Sequence, residues 1–133
     1  MSAVTFKGYN VVECSFANKL PPGTRISLEN KYQFNVKYAQ GDICIGEMTV
    51  KVSDREKPES FFVNVVIRGI FSFSSGMEKE KVHVDAYKTL FPYARVFISN
   101  LTSGAGIPPV MIPDADIESQ SIYRFDLGQK QDT

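Results

Sequence analysis

Along Lys31-Tyr32-Gln33-Phe34-Asn35-Val36-Lys37-Tyr38 every even position is apolar or aromatic and every odd one is polar. A period of two places successive side chains on opposite faces of the backbone, so this stretch predicts a strand with one buried side. Val12-Glu13-Cys14-Ser15-Phe16 is a shorter alternation of the same kind, and Pro21-Pro22-Gly23 between the two marks a loop. A third strand is predicted over 44–52, where Cys44, Met48, Val50 and Val52 share a face with Gly46 while Glu47, Thr49 and Lys51 face the other way. Asp54-Arg55-Glu56-Lys57-Pro58-Glu59 is a solvated charge cluster and reads as a hairpin connection. The fourth strand, over 61–73, is the most apolar: Phe61, Val63, Val65 and Ile67 take one side, Phe62, Val66 and Phe71 the other. A strand apolar on both faces calls for cover on both, or on one from a second subunit.

Strands stop at Ser74-Ser75-Gly76, and after a charged stretch the period changes. Leu90, Ala94, Phe97, Ile98 and Leu101 fall at helical spacing and predict a helix over about 90–103. Thr89 is its expected N-cap, Pro92 then sits in the first turn, and Gly104 ends it. The following Gly104-Ala105-Gly106-Ile107-Pro108-Pro109-Val110-Met111-Ile112-Pro113 mixes conformational breakers with apolar side chains, so it is expected to be extended yet greasy. Such a loop either packs on its own core or forms one wall of an apolar groove. No repeat or linker divides the chain, so 1–133 is expected to be one domain. Its tail, from about 114, contains Ile117, Ile122, Tyr123 and Phe125 but no long amphipathic helix.

Composition narrows the function. With 133 residues and 43% apolar side chains, the chain can bury enough surface to fold without a disulfide or metal. Fifteen Lys plus Arg balance fifteen Asp plus Glu, which removes the electrostatic case for nucleic acid. The opening Met1-Ser2-Ala3-Val4-Thr5-Phe6-Lys7 lacks the pattern of a signal peptide, and no apolar run is long enough to span a bilayer. A cytoplasmic protein without membrane insertion is therefore expected, with Cys14 and Cys44 reduced and largely buried in their strands. His83 is the sole histidine and no Cys pair accompanies it, which puts an ordinary zinc site out of reach; in Val82-His83-Val84-Asp85 it reads as a structural residue, and the sequence places no triad and suggests no Cys–His dyad. Gly69, Gly76, Gly104 and Gly106 make no phosphate cradle, and Asp114 and Asp116 read as solvated acids. No catalytic residue, metal or cofactor is expected. What is abundant is aromatic side chain, ten Phe and six Tyr, more than one subunit with one main helix can cover. Part of that surface must meet another chain, either a copy or a client.

Two motifs carry a likeness to a known family. Gly69-Ile70-Phe71-Ser72 closing the fourth strand and Leu90-Phe91-Pro92-Tyr93-Ala94-Arg95 opening the helix resemble the most recognisable stretches of the SecB export chaperones. The likeness extends to Val4-Thr5-Phe6, Ser15-Phe16, Ile98-Ser99-Asn100-Leu101 and the Gly–Pro–Pro loop, and spans roughly the first 115 residues in order and spacing.

The resemblance implies an α+β fold: a four-stranded antiparallel sheet, one long helix, a short or missing second helix, and assembly as a dimer of dimers. It also implies an ATP-independent holdase that keeps precursor or other unfolded polypeptides in long apolar grooves, many members passing them to the SecA motor. Adaptable aromatic and Met surfaces suit such a binder, because its clients share no sequence. Client contact is then expected from Tyr32, Phe34, Phe71, Phe73, Ile107, Val110, Met111 and Ile112, and subunit contact from Phe91, Phe97 and Leu101. Three acidic positions of the surface that serves SecA fall on Glu13, Ala17 and Asn64; only Glu13 is acidic here, which leaves it the one candidate SecA contact and weakens that docking. A SecB-like chaperone of a toxin–antitoxin system, or an interaction module dedicated to one partner, is the alternative expectation.

Overall fold

The structure is a computed structural model that describes residues 4–113; the tail discussed above lies outside the described residues. Strands β1 (Val4–Asn18), β2 (Leu28–Ala39), β3 (Ile43–Asp54) and β4 (Phe61–Phe73) precede helix α1 (Lys79–Gly104). The strands form one antiparallel sheet in the order β1-β4-β3-β2, which is the expected α+β arrangement. Strand β2 turns into β3 through Gly41 and Asp42, both at positive φ (78° and 59°), the conformation a tight hairpin needs to match strand twist.

Register explains which alternation was readable. Phe34 lies opposite Met48, and Met48 opposite Ile67, so the apolar sets of β2, β3 and β4 share one face. Helix α1 packs on that face through Val82, His83, Ala86, Tyr87, Leu90, Phe91, Ala94 and Ile98, all buried. In β1 the inward set is Phe6, Tyr9, Val11, Cys14 and Phe16, paired with Phe71, Gly69, Ile67, Val65 and Val63. Two bulges, between Phe6 and Gly8 and between Val11 and Glu13, insert an extra residue each and shift the phase. Period two therefore shows only over the last part of a strand that begins at Val4.

Two expectations about the strands need correction. Phe71 belongs with Phe61 to Ile67 on the helix-facing side, fully buried, and not with Phe62 and Val66. The opposite face of β4 is left largely open: Phe62 and Val66 are half-buried and Ile70 is exposed. Cys14 is exposed near the sheet edge, whereas Cys44 is buried as expected and burial pushes its thiol up to about 11.

The helix starts three turns earlier than its spacing suggested, after an N-cap at Glu78. Thr89 is interior, its hydroxyl donating to the Asp85 carbonyl at 2.8 Å, and Pro92 lies mid-helix. Proline removes the hydrogen bond to the carbonyl four residues back, here that of Lys88. Both residues are exposed, so water can satisfy that carbonyl, and burial of Val82, His83, Ala86 and Tyr87 holds the first turns regardless. At its C-terminus the helix includes Gly104, one residue past the expected end, and Ala105 is the C-cap. No helix among the described residues is long and apolar enough to cross a membrane.

Candidate functional site

Where the sheet and helix end, two proline-rich loops stand opposite each other and enclose an apolar cavity of about 530 Å³. One wall is the β1–β2 loop, with Leu20, Pro21, Pro22 and Ile26 leading into Leu28; the other is the loop after α1, with Ile107, Pro108, Pro109, Val110 and Met111. Phe61, at the start of β4, completes the lining. Proline fills both walls for a physical reason: it keeps the backbone extended and, having no N–H, leaves fewer donors to satisfy over a greasy space.

A buried polar side chain fastens each wall. On the first, Asp54 at the end of β3 accepts the backbone N–H of Ser27 at 3.0 Å, and those of Glu56 and Lys57 at 3.2 and 2.9 Å. Arg55 N–H donates to the Ser27 carbonyl at 2.8 Å, and at the loop's other end Lys19 N–H donates to the Ser60 carbonyl at 2.6 Å. The Lys57, Ser27 and Glu56 N–H groups hold the Asp54 carboxyl below the usual carboxylate range. On the second wall, Thr102 donates its hydroxyl to the Ile98 carbonyl at 2.9 Å and accepts the Val110 N–H at 2.8 Å. The far end of that loop is met by Tyr32, whose hydroxyl donates to the Pro113 carbonyl at 3.3 Å.

Of the anticipated client-contact residues, the cavity gathers Ile107, Val110 and Met111. Met111 is 62% exposed, Ile107 half-buried and Val110 buried, with Ile112 buried beside them. Phe34 and Phe71 are 0% exposed in the core, Phe34 edge-on to His83 and Tyr87 and Phe71 against Phe6. Tyr32 and Phe73 are half-buried and lie outside the cavity, Tyr32 meeting Phe91 edge-on and Phe73 meeting Tyr38. On α1, Phe91 is buried within its own chain, while Phe97 and Leu101 are half-buried. Glu13 is exposed on the sheet face away from the helix, opposite Val66.

Sequence reasoning missed the whole first wall, together with Phe61. Its signal was present: Pro21-Pro22 is flanked by Leu20, Ile26 and Leu28, the same mixture of breakers and apolar residues that singled out the second loop. No group of His, Cys, Asp or Glu suited to a metal ion occurs among the described residues. The cavity is apolar, prolined and short of hydrogen-bonding groups; it can take up large apolar side chains without selecting their order.

A family model, preprotein translocase subunit SecB, matches residues 8–130 of the chain. A protein-export protein SecB from Anaplasma marginale is 30% identical over 122 residues, covering 84% of this chain and 69% of that protein. One from Methylococcus capsulatus is 27% identical over 130 residues, with 91% and 84% covered. Among solved structures, a Mycobacterium tuberculosis SecB-like chaperone in complex with a ChAD peptide from an antitoxin shares the fold at a TM-score of 0.67 and 11% identity, over 85% of this chain and 91% of that one.

Proposed function

The chain belongs to the SecB family of chaperones, and on that premise we propose that it is an ATP-independent holdase whose clients lay apolar side chains into the cavity between the two proline loops. The observation that carries this reading is the exposed Met111 on a wall whose neighbours are apolar. An unbranched thioether adapts to differently shaped partners, and many modest contacts along a chain sum to useful affinity. Ile107, Val110 and Met111 then touch the client directly, and Tyr32 and Ile112 support their loop, while Phe34 and Phe71 serve the packed core and Phe73 lies at the far end of β4 from the cavity. The reading assigns no catalytic residue, cofactor or metal, and a cytoplasmic site of action on unfolded or precursor polypeptides.

Self-association as a dimer of dimers belongs to the same proposal. Tyr9, Tyr93 and Val96 are exposed, Phe97 and Leu101 are half-covered, and the outer edge of β1 is unpaired within the described residues. A second copy would cover this apolar flank, which a lone chain leaves wet.

A second reading concerns the client. On the sheet face away from α1, Lys31, Lys37, Lys51 and Arg68 accompany Glu13, Glu29 and Glu47, so no acidic surface is offered to a SecA-like motor. That favours a chaperone serving a non-export client such as an antitoxin. SecA binding by calorimetry separates the two: affinity comparable to an export SecB removes the second reading.

The test of the holdase is suppression of aggregation of a chemically unfolded protein, without nucleotide, at one assembly per unfolded chain. Suppression is expected, and Met111→Asp should weaken it at least severalfold while leaving native mass unchanged, because an ionised group must shed water to enter the cavity. An inert wild-type protein overturns the reading.

A further inference from the structure

The cavity's two walls are loops, yet each is tied to the folded body by one nearly water-free polar side chain. Asp54 is 6% exposed and Thr102 0% exposed. Neither lines the cavity. Asp54 draws in three backbone N–H groups, of which Ser27 belongs to the first wall and Glu56 and Lys57 to the β3–β4 turn. It thereby ties two connections together at the point where β3 ends. Thr102 sits in the last turn of α1 and reaches eight residues forward to Val110, a wall residue whose apolar side chain is buried beside the space. Between the fastenings the walls have little else. In the first, the other hydrogen bonds are the Lys19 tie at its start, the Arg55 N–H on the Ser27 carbonyl, and a local turn of Thr24 onto Pro21. In the second, they are the Gly106 N–H on the Ser103 carbonyl, the Ile107 N–H on the Thr102 carbonyl and the Tyr32 hydroxyl on the Pro113 carbonyl, while Pro108, Pro109 and Pro113 have no N–H to give.

Resting on the client-binding reading above, we infer that Asp54 and Thr102 are positioning residues that set the separation of the two walls, and so the affinity for clients, without touching a client. A buried group that satisfies several backbone donors is a stiff tether, since breaking it strands those donors away from water. Removing Thr102's hydroxyl frees the Val110 amide and lets the second wall ride on its remaining contacts. Replacing the Asp54 carboxylate by an amide turns an acceptor-only group into one that presents N–H to N–H and releases Ser27.

The experiment uses the full chain and a reduced, carboxymethylated globular protein, fluorophore-labelled, as the probe, read by anisotropy. Thr102→Val, isosteric but unable to hydrogen-bond, should weaken binding by roughly threefold to tenfold, the range a lost neutral hydrogen bond supports. Thr102→Ser, which keeps the hydroxyl, should restore wild-type affinity. Amide exchange followed by mass spectrometry should rise over 105–113 in Thr102→Val and over 19–28 in Asp54→Asn, with β3 and β4 unchanged; tryptic cleavage after Arg25 should accelerate only in Asp54→Asn. Met111→Asp serves as the cavity control. If Met111→Asp weakens binding while Thr102→Val and Asp54→Asn bind as wild type, the positioning role is refuted and the cavity reading stands. If Met111→Asp also binds normally, the cavity reading itself has failed and takes this one with it. Loss of binding in Thr102→Ser equal to that in Thr102→Val also refutes the inference, since the hydroxyl would then not be the operative group.

Discussion

Phe34 and Met111 are both apolar residues singled out by pattern, and they meet opposite fates. Phe34 is walled in by His83, Tyr87 and the Gly46 backbone, with no exposure at all; Met111 stands on a loop with most of its side chain in water. The sheet under α1 consumes its apolar residues in close packing, where dispersion and burial reward an exact complement of shapes. The cavity end leaves them over. Its loops are extended by proline, fastened by Asp54 and Thr102 and anchored by Val110 and Ile112, which leaves Ile26, Pro108, Pro109 and Met111 exposed. The protein separates the surface that holds it together from the surface it has to offer. That division is useful to a binder of unfolded chains, because client contact can vary without disturbing the fold.

The largest effect that would break this comparison is a truncation on each side. Phe71→Ala removes a fully buried ring packed against Phe6 and Gly69 and should cost about 3–5 kcal/mol in urea unfolding. Met111→Ala should change stability by no more than about 0.5 kcal/mol while reducing client affinity. Equal stability losses at the two positions would mean that the loops are core after all.

The same division decided what could be read in the sequence. Strands β2, β3 and β4 were legible because each has one face packed under α1, and a packed face imposes strict alternation. Strand β1 was mostly hidden, since its two bulges turn the spacing of Phe6, Tyr9, Val11, Cys14 and Phe16 into threes and twos. The first turns of α1 were hidden by Pro92, which outweighs Val82, Ala86 and Tyr87 in a local reading but loses to their burial in the fold. In the candidate site, Ile107, Val110 and Met111 were legible as greasy residues in a loop of breakers. The opposing wall was not, because Pro21-Pro22-Gly23 breaks regular structure and separates Leu20 from Ile26 and Leu28 without a period to link them. Asp54 and Thr102 left no trace in pattern at all, since their partners are backbone amides brought near by the fold.

A smaller effect sharpens how tight the packed half is. A Cβ at Gly46 would stand 2.9 Å from Phe34 Cζ and 3.3 Å from Phe71 Cε1. Either ring could give way only by pushing on neighbours that are themselves buried. Gly46→Ala should therefore destabilise by about 1–3 kcal/mol despite adding apolar bulk. An unchanged unfolding midpoint would show slack around Phe34 and weaken the contrast with the loops.

The smallest effect distinguishes the two loops from each other. Asp54 fastens its wall with charge and Thr102 with a neutral hydroxyl, so only the first wall should respond to acid. The folded-state pKa of Asp54 is depressed, chiefly by the Lys57 and Ser27 backbone N–H groups, below the value of about 3.9 it has in an unfolded chain. A depressed carboxyl binds its proton more readily when unfolded, so its stabilisation is complete well above that unfolded value. It is lost as pH falls through the lower folded value. Protection of the amides over 19–28, meaning exchange relative to the intrinsic rate at each pH, should accordingly fall as pH drops below the unfolded value of about 3.9, ahead of any change over 105–113. Asp54→Asn should show fast exchange there throughout and a shallower acid limb in urea unfolding. If both walls loosen together in the wild type, acid is acting through the packed half and the charge on Asp54 is not the fastening it is taken to be.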